Sequence, residues 1–347
     1  MDKDLKNKTL PELEELVLDL GGKKYLAKYI FSFIHSKDAS SIDDITTLSK
    51  DLRATLIEQG YYISKLNLVE KFSDPDGTVK YLFELSDGVR LETVLMTNSG
   101  PNPRKTLCIS CQAGCRMGCS FCATAKLKFH RDLTAGEIVD QVNSVVADSG
   151  TVNNIVYMGM GEPLDNYDNV MRSLHIINHH AGKNIGQRHL TISTCGIADG
   201  ILKFADEQLQ VHLAISLHCT NDKERKKIMG SAKKYSLDDL MDAVRIYQRK
   251  TGRRVMFQFC MMAGFNDSDS DANNLIQLLR GLNANVNLIE FNPHPGCEFK
   301  ATCQQRIGRF MDILMKSGVE TTVRYRRGRA VKAACGQLGA AWLDKQK

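Results

Sequence analysis

A chain of 347 residues is long enough for one large domain with an appendage or for two ordinary domains, and 43% hydrophobic with 25% charged residues is a globular balance. No apolar run approaches the roughly eighteen residues of a membrane span, and eleven cysteines, odd in number and clustered, argue against a secreted disulfide framework. The excess of 46 Lys and Arg over 40 Asp and Glu gives a net charge of +6, alone a weak pointer to an anionic partner.

The opening MDKDLKNKTLPELEELV is polar and helical in period, without a leader pattern, so the cytoplasm is the expected location. Residues 9 to 60 read as helices: LPELEELVLDLGG stops at Gly21-Gly22, and KKYLAKYIFSFIHS resumes the period. The period changes over residues 64 to 97, where LNLVEKF, VKYLFEL and VRLETVLM read as strands of an antiparallel meander, separated by the turns DPDG and SDG. TNSGPNPRK, residues 97 to 105, is the linker candidate.

From residue 106 strand and helix alternate. The strands LCIS, IVYMGMG, LTISTC, VHLAISLH, VMFQFCMM, VNLIEFNP and TTVRYR are separated by helical patterns at about 134 to 149, 168 to 181, 198 to 207, 236 to 251, 268 to 281 and 303 to 317. Apolar strands joined by helical crossovers imply an α/β protein with a parallel sheet, and the even spacing favours a full or partial β/α barrel. Loops at the carboxyl ends of such strands carry the chemistry, and a cysteine cluster follows the first of them.

That cluster, CQAGCRMGCSFC, places Cys115, Cys119 and Cys122 at the spacing C-x-x-x-C-x-x-C. Structural zinc would need a fourth ligand, such as Cys108, Cys111 or a distant histidine. A working disulfide needs fewer thiols, whereas an iron–sulfur cubane held by three thiolates keeps one iron open. Gly114 and Gly118 would let backbone wrap the cluster. The spacing, with Phe121 before the last cysteine, resembles the signature of the radical S-adenosylmethionine (SAM) superfamily. The resemblance implies a 4Fe-4S cluster on Cys115, Cys119 and Cys122 whose open iron binds SAM. In MGMGEP, Gly161 and Glu162 then become SAM contacts, and Ser193, Ser216, Leu217, His218 and Asn292, at the ends of later strands, are expected to line the same mouth. Taken singly, His218 reads as a satisfied polar residue.

Outside the cluster, Cys108 and Cys335 mean little by themselves, since unpaired cysteines commonly pack as small apolar residues. Cys335 follows VRYRRGRAVK, a basic run whose field favours thiolate; KLKFHR is a second basic run. LETV, TLCIS, GCRMGCSFCATA, MGMGEPLDN, LTISTCGI, SLH, FNPHPG and AACGQL occur in the order seen in the RlmN/Cfr family of RNA adenine methyltransferases, which nearly the whole chain resembles. The resemblance implies a helical accessory RNA-binding domain over residues 1–63, a β extension and linker over 64–105, and a partial (β/α)6-type radical SAM barrel with a catalytic-cysteine segment over 106–347.

It also implies a mechanism. Cys335 takes a methyl group from one SAM, and a radical from a second SAM activates that methyl for addition to an adenine amidine carbon. Glu92 removes the ring proton, and Cys108 resolves the protein–RNA crosslink by a disulfide with Cys335. Without the resemblance, Glu92 reads as an exposed strand carboxylate. The implied partners are RNA, either 23S ribosomal RNA or transfer RNA, and an electron donor such as flavodoxin or ferredoxin; the expected protein is a monomer. GMGEPL favours carbon 2 over carbon 8. Two segments depart from the family pattern near the expected substrate region, GRAVK for an acidic GDDID and IMGSAKK for an LMPIN-like stretch. A different RNA target and a non-catalytic cysteine-cluster RNA-binding protein are the competing readings.

Overall fold

Thr9 begins the first helix with a reciprocal cap: its backbone N–H donates to Glu12 at 2.8 Å, and Pro11 supplies a favourable first-turn φ. Helix α1 (Leu10–Asp19) is followed by α2 (Leu26–His35) and by α3 (Lys50–Glu58), whose cap Ser49 accepts the Leu52 N–H. The computed structural model describes residues 2–98 and 103–343. This helical unit is fixed to the rest of the chain by a buried ion pair, Lys6 to Asp140 at 2.5 Å, and by Asn7, whose side-chain oxygen accepts the Gly136 N–H at 2.6 Å.

The meander β1 (Asn67–Ser73), β2 (Thr78–Glu84) and β3 (Arg90–Asn98) forms as the alternation predicts. It extends the sheet of the barrel. β3 pairs antiparallel with β4 (Arg104–Cys108), setting Val94 opposite Cys108, and β4 continues into the parallel sheet. The edge of the first barrel strand is thereby covered rather than left as a row of open N–H and C=O groups. Of the linker candidate, residues 99–102 lie outside the described residues, and its flanks belong to β3 and β4.

A two-stranded pair, β5 (Gln112–Ala113) with β6 (Arg131–Asp132), brackets the cysteine loop. Crossovers then alternate: α4 (Ala135–Ser149), β7 (Asn154–Tyr157), α5 (Tyr167–Asn178), β8 (Leu190–Thr194), α6 (Ala198–Asp206) and β9 (His212–Ser216). After β9 comes a short helix that the periodicity did not reveal, α7 (Asp222–Ile228), then α8 (Leu237–Thr251), β10 (Val255–Met261), α9 (Asp269–Leu279), β11 (Ala284–Glu290), α10 (Gln304–Lys316), β12 (Thr321–Arg324) and α11 (Ala340–Leu343).

The ten-stranded sheet runs β1-β2-β3-β4-β7-β8-β9-β10-β11-β12, parallel from β4 onward. Its edges are β1 and β12, so the barrel is partial, with six crossovers. Alternate β10 residues Val255, Phe257, Phe259 and Met261 are fully buried, as a strand in a packed sheet requires. All the carboxyl ends of the parallel strands open on one face, and the site is built there.

Candidate active site

The turn after β7 is pressed onto the end of β4. A Cβ on Gly159 would lie 2.6 Å from the Ile109 carbonyl oxygen, and one on Gly161 (φ +105) would lie 2.6 Å from the Gln112 side chain. That closeness lets Ser110 receive the Met160 N–H at 2.9 Å and Gln112 receive the Glu162 N–H at 2.9 Å. Asn166 donates to the carbonyls of Cys111 and Leu133, tying both ends of the cysteine loop to the following turn. Cys111 is thus a buried anchor of the loop backbone.

Farther along, the Ser120 N–H donates to the Ile228 carbonyl at 2.9 Å and the Gly230 N–H to the Met117 carbonyl at 3.0 Å. IMGSAKK props the cysteine loop through these two bonds, and its Met229 borders the cavity described next.

Cys115, Cys119 and Cys122 all border one cavity of about 160 Å³, together with Phe121, Glu162, Ser193, Ser216 and His218. Burial pushes the Cys115 thiol up to about 12 and raises Cys119 and Cys122 as well. The thiols are therefore protonated until a metal displaces the protons. Among the described residues no three His, Cys, Asp or Glu side chains converge as ligands of a single ion. A cubane places each thiolate on a separate iron, so three thiols spread around one cavity fit it.

Around the same cavity the Glu162 carboxylate accepts the Cys195 N–H at 2.7 Å and the Leu164 N–H at 3.1 Å. Burial raises its pKa, opposed by those donors. Ser193 and Ser216 both reach the side-chain oxygen of Gln258 at 3.4 Å. Gln258 borders the cavity and escaped the sequence reading because a lone glutamine within an apolar strand carries no motif. His218 has φ +57, and its Nδ1 accepts the Cys260 N–H at 3.0 Å. Burial lowers its pKa to about 3, so the ring is neutral with its proton on Nε2. Its ring meets Phe121 edge-on, the centroids 4.8 Å apart.

Two expected cavity residues are placed elsewhere. Leu217 does not border the cavity: strand alternation past Ser216 turns it into the main core, where it is fully buried. Asn292 borders a second cavity and donates to the Cys335 carbonyl at 3.1 Å, because Phe291 occupies the inward position before it.

The second cavity, about 570 Å³, is bordered by Cys108, Val94, Met96, Arg324, Arg326, Arg327 and Cys335. Cys108 is buried, which raises its thiol pKa, while Cys335 is exposed; both are free thiols. The two cavities share a wall made by Cys122, Met158, Gly159, Ile289, Cys335 and Gly336. The Cys335 loop is stapled to the cysteine loop: the Ala123 N–H donates to the Gly336 carbonyl at 2.8 Å, and the Thr124 hydroxyl to the Leu338 carbonyl at 2.9 Å. GRAVK is held by the meander turn, with Asp76 accepting the Gly328 N–H and Asp74 the Ala330 N–H, each at 2.8 Å.

Glu92 is buried rather than exposed. It pairs with buried Lys80 at 2.9 Å and accepts the Gly339 N–H at 2.8 Å, so its carboxylate is held beneath the Cys335 segment and does not border either cavity.

A family model for the Radical SAM superfamily matches residues 109–279, and one for the ribosomal RNA large subunit methyltransferase N-terminal domain matches residues 3–61. The ribosomal RNA large subunit methyltransferase N of Nitrosopumilus maritimus is 45% identical over 94% of this chain and 95% of its own. A probable dual-specificity RNA methyltransferase RlmN of a Thermoanaerobacter species is 43% identical over 99% of both chains. The crystal structure of a radical SAM methyltransferase from Sphaerobacter thermophilus is 43% identical, covers 98% of this chain and 100% of its own, and matches with a TM-score of 0.91.

Proposed function

The chain belongs to the RlmN family of radical SAM RNA methyltransferases, and from that premise we propose that it methylates carbon 2 of an adenine in 23S ribosomal RNA and in transfer RNA, with Cys335 as the methyl carrier. One observation carries the proposal: Cys335 borders both the cavity of the three clustered cysteines and the larger cavity that also holds Cys108. A carrier must reach a donor on one side and an acceptor on the other.

When bound, a 4Fe-4S cluster on Cys115, Cys119 and Cys122 with SAM, two molecules per turnover, supplies the methyl group and the 5′-deoxyadenosyl radical. Gly161, Glu162, Ser193, Ser216 and His218 surround the space for SAM, with Gln258 joining the two serines. The exposed Cys335 sulfur would take the methyl of one SAM, releasing S-adenosylhomocysteine, and the deoxyadenosyl radical would take one hydrogen from that methyl and leave as 5′-deoxyadenosine, so that Cys335 holds a carbon radical. That radical adds to the adenine ring in the second cavity.

The ring proton is assigned to Glu92, which reaches it once the Cys335 segment lifts from its carboxylate, and the adduct gives up one electron to the external redox partner. The Gly339 N–H that Glu92 now accepts lies four residues beyond Cys335, so base and carrier are positioned by one segment. The Cys108 thiol gives up its proton and its sulfur bonds to the Cys335 sulfur, breaking the bond to the transferred carbon, which keeps the electron pair and takes up a proton to become the methyl of the freed base; the disulfide is afterwards reduced. Arg324, Arg326 and Arg327 at the second cavity meet the phosphates of an RNA whose adenine is turned out of its stack. An electron donor of the flavodoxin or ferredoxin class, a cytoplasmic location and a monomeric state complete the reading.

The test is methyladenosine mapping by mass spectrometry in RNA from cells with and without the gene. Loss of 2-methyladenosine at discrete ribosomal and transfer RNA positions is expected. An unchanged 2-methyladenosine profile with loss of 8-methyladenosine would replace carbon 2 by carbon 8.

A further inference from the structure

Arg225, in α7, is fully buried, yet among the described residues it has no carboxylate partner. Its guanidinium donates from Nη2 to the Cys195 carbonyl at 2.8 Å and from Nη1 to the Tyr235 carbonyl at 3.3 Å, and among the described residues Nε has no partner. Neutral carbonyls do not compensate a full charge removed from water. Burial accordingly lowers the arginine pKa, as for a cation lacking an anion. Asp222, on the same helix, is engaged elsewhere, accepting the Leu237 N–H at 2.9 Å.

The position is built for this side chain. A Cβ on Gly196 (φ +95) would lie 2.7 Å from Nη2, so the turn after β8 leaves room for the guanidinium alone. Cys195, whose carbonyl receives that nitrogen, borders the cavity of the clustered cysteines. Three residues beyond Arg225, the Ile228 carbonyl receives the Ser120 N–H, which fixes the arginine beneath the loop carrying Cys115 and Cys119.

We propose that the missing anion is the iron–sulfur cluster, and that Arg225 is a positioning residue that favours its reduced state. This rests on Cys115, Cys119 and Cys122 being the ligands. A cubane on three thiolates carries net negative charge, and one electron adds another, so a fixed cation behind the cavity wall stabilises the reduced form more than the oxidised form. The external donor supplies that electron.

The experiment is a spectroscopic redox titration of the reconstituted cluster, with dithionite as reductant, in wild type, R225M and R225K. R225M should disfavour reduction by about tenfold, which for one electron is about 59 mV more negative. R225K, which keeps the charge, should stay within about threefold of wild type, about half that shift on the same scale. An R225M cluster with the wild-type potential would overturn the proposal, as would R225K shifting as far as R225M, which would mark a purely structural role. Should R225M not fold, R225Q gives the same readout. Wild-type protein that takes up no iron would instead overturn the ligand assignment.

Discussion

Cys108 and Cys335 border the same cavity, but only Cys335 also borders the cavity of Cys115, Cys119 and Cys122. The buried thiol can thus meet the exposed one from the second cavity alone, as the proposed roles of resolving partner and carrier require. Cys108→Ala is therefore expected to accumulate a covalent protein–RNA adduct, and Cys335→Ala none, read as a mobility shift on a denaturing gel after reaction with SAM. Equal adduct in both variants would reverse the assignment.

Loading of the cluster should depend on pH. Burial raises Cys115 to about 12 and raises Cys119 and Cys122 from an ordinary value of 9.0, so iron binding must release thiol protons. Iron affinity is expected to increase from pH 7 to pH 9. The linkage has the opposite sign for the metal-free protein: groups whose folded pKa is raised give stability that is present below the unfolded value and lost above it. Its melting temperature should fall above about pH 9, and loading should remove that fall.

Glycine at 230 is needed for the cysteine loop. A Cβ there would lie 2.1 Å from the Met117 carbonyl oxygen, a backbone atom that cannot swing aside. Gly230→Ala should reduce iron content at least several-fold while leaving the far-ultraviolet circular dichroism unchanged. Full iron content in that variant would mean that the loop does not depend on this contact.

Lys80 and Glu92 test the buried ion pair beneath the Cys335 segment. Removing one partner strands the other charge, so Lys80→Met should cost about 3–5 kcal/mol, and Lys80→Met with Glu92→Gln distinctly less. Denaturant titration of wild type, Lys80→Met, Glu92→Gln and the double variant measures the coupling. Additive losses would show that the pair does not act as a unit.

His35 gives an acid limb to stability. It is fully buried against Phe31, neither ring nitrogen has a hydrogen-bond partner among the described residues, and burial lowers its pKa to about 3. A group whose folded pKa is depressed gives stability that is present above its unfolded value and lost as pH falls toward the folded one. Each pH unit between about 6.5 and 3 therefore costs up to about 1.4 kcal/mol at this residue. His35→Leu should flatten that slope, measured as denaturation midpoints at several pH values.

The strands and crossovers were legible because apolar runs and helical periods are local properties. Helix α7 was not: DKERKKI is almost entirely polar, and Arg225 is buried only because Gly196 and the Cys195 carbonyl, thirty residues away in the chain, make room for it. The three clustered cysteines were legible from spacing, whereas Gln258 was hidden within an apolar strand. Leu217 and Asn292 were assigned by adjacency to strand ends, and alternation sent one into the core and the other to the Cys335 loop. The burial of Glu92 depends on Lys80 in the neighbouring strand and Gly339 near the far end of the described chain, pairings no local pattern encodes.

The claim that Cys335 carries the methyl between two cavities is tested most directly with SAM bearing a deuterated methyl group. Mass spectrometry of the Cys335 peptide should show the label on that cysteine before RNA is added, and a chase with RNA and unlabelled SAM should move it into methyladenosine. Labelled methyladenosine formed by the Cys335→Ala protein at the wild-type rate would contradict the account.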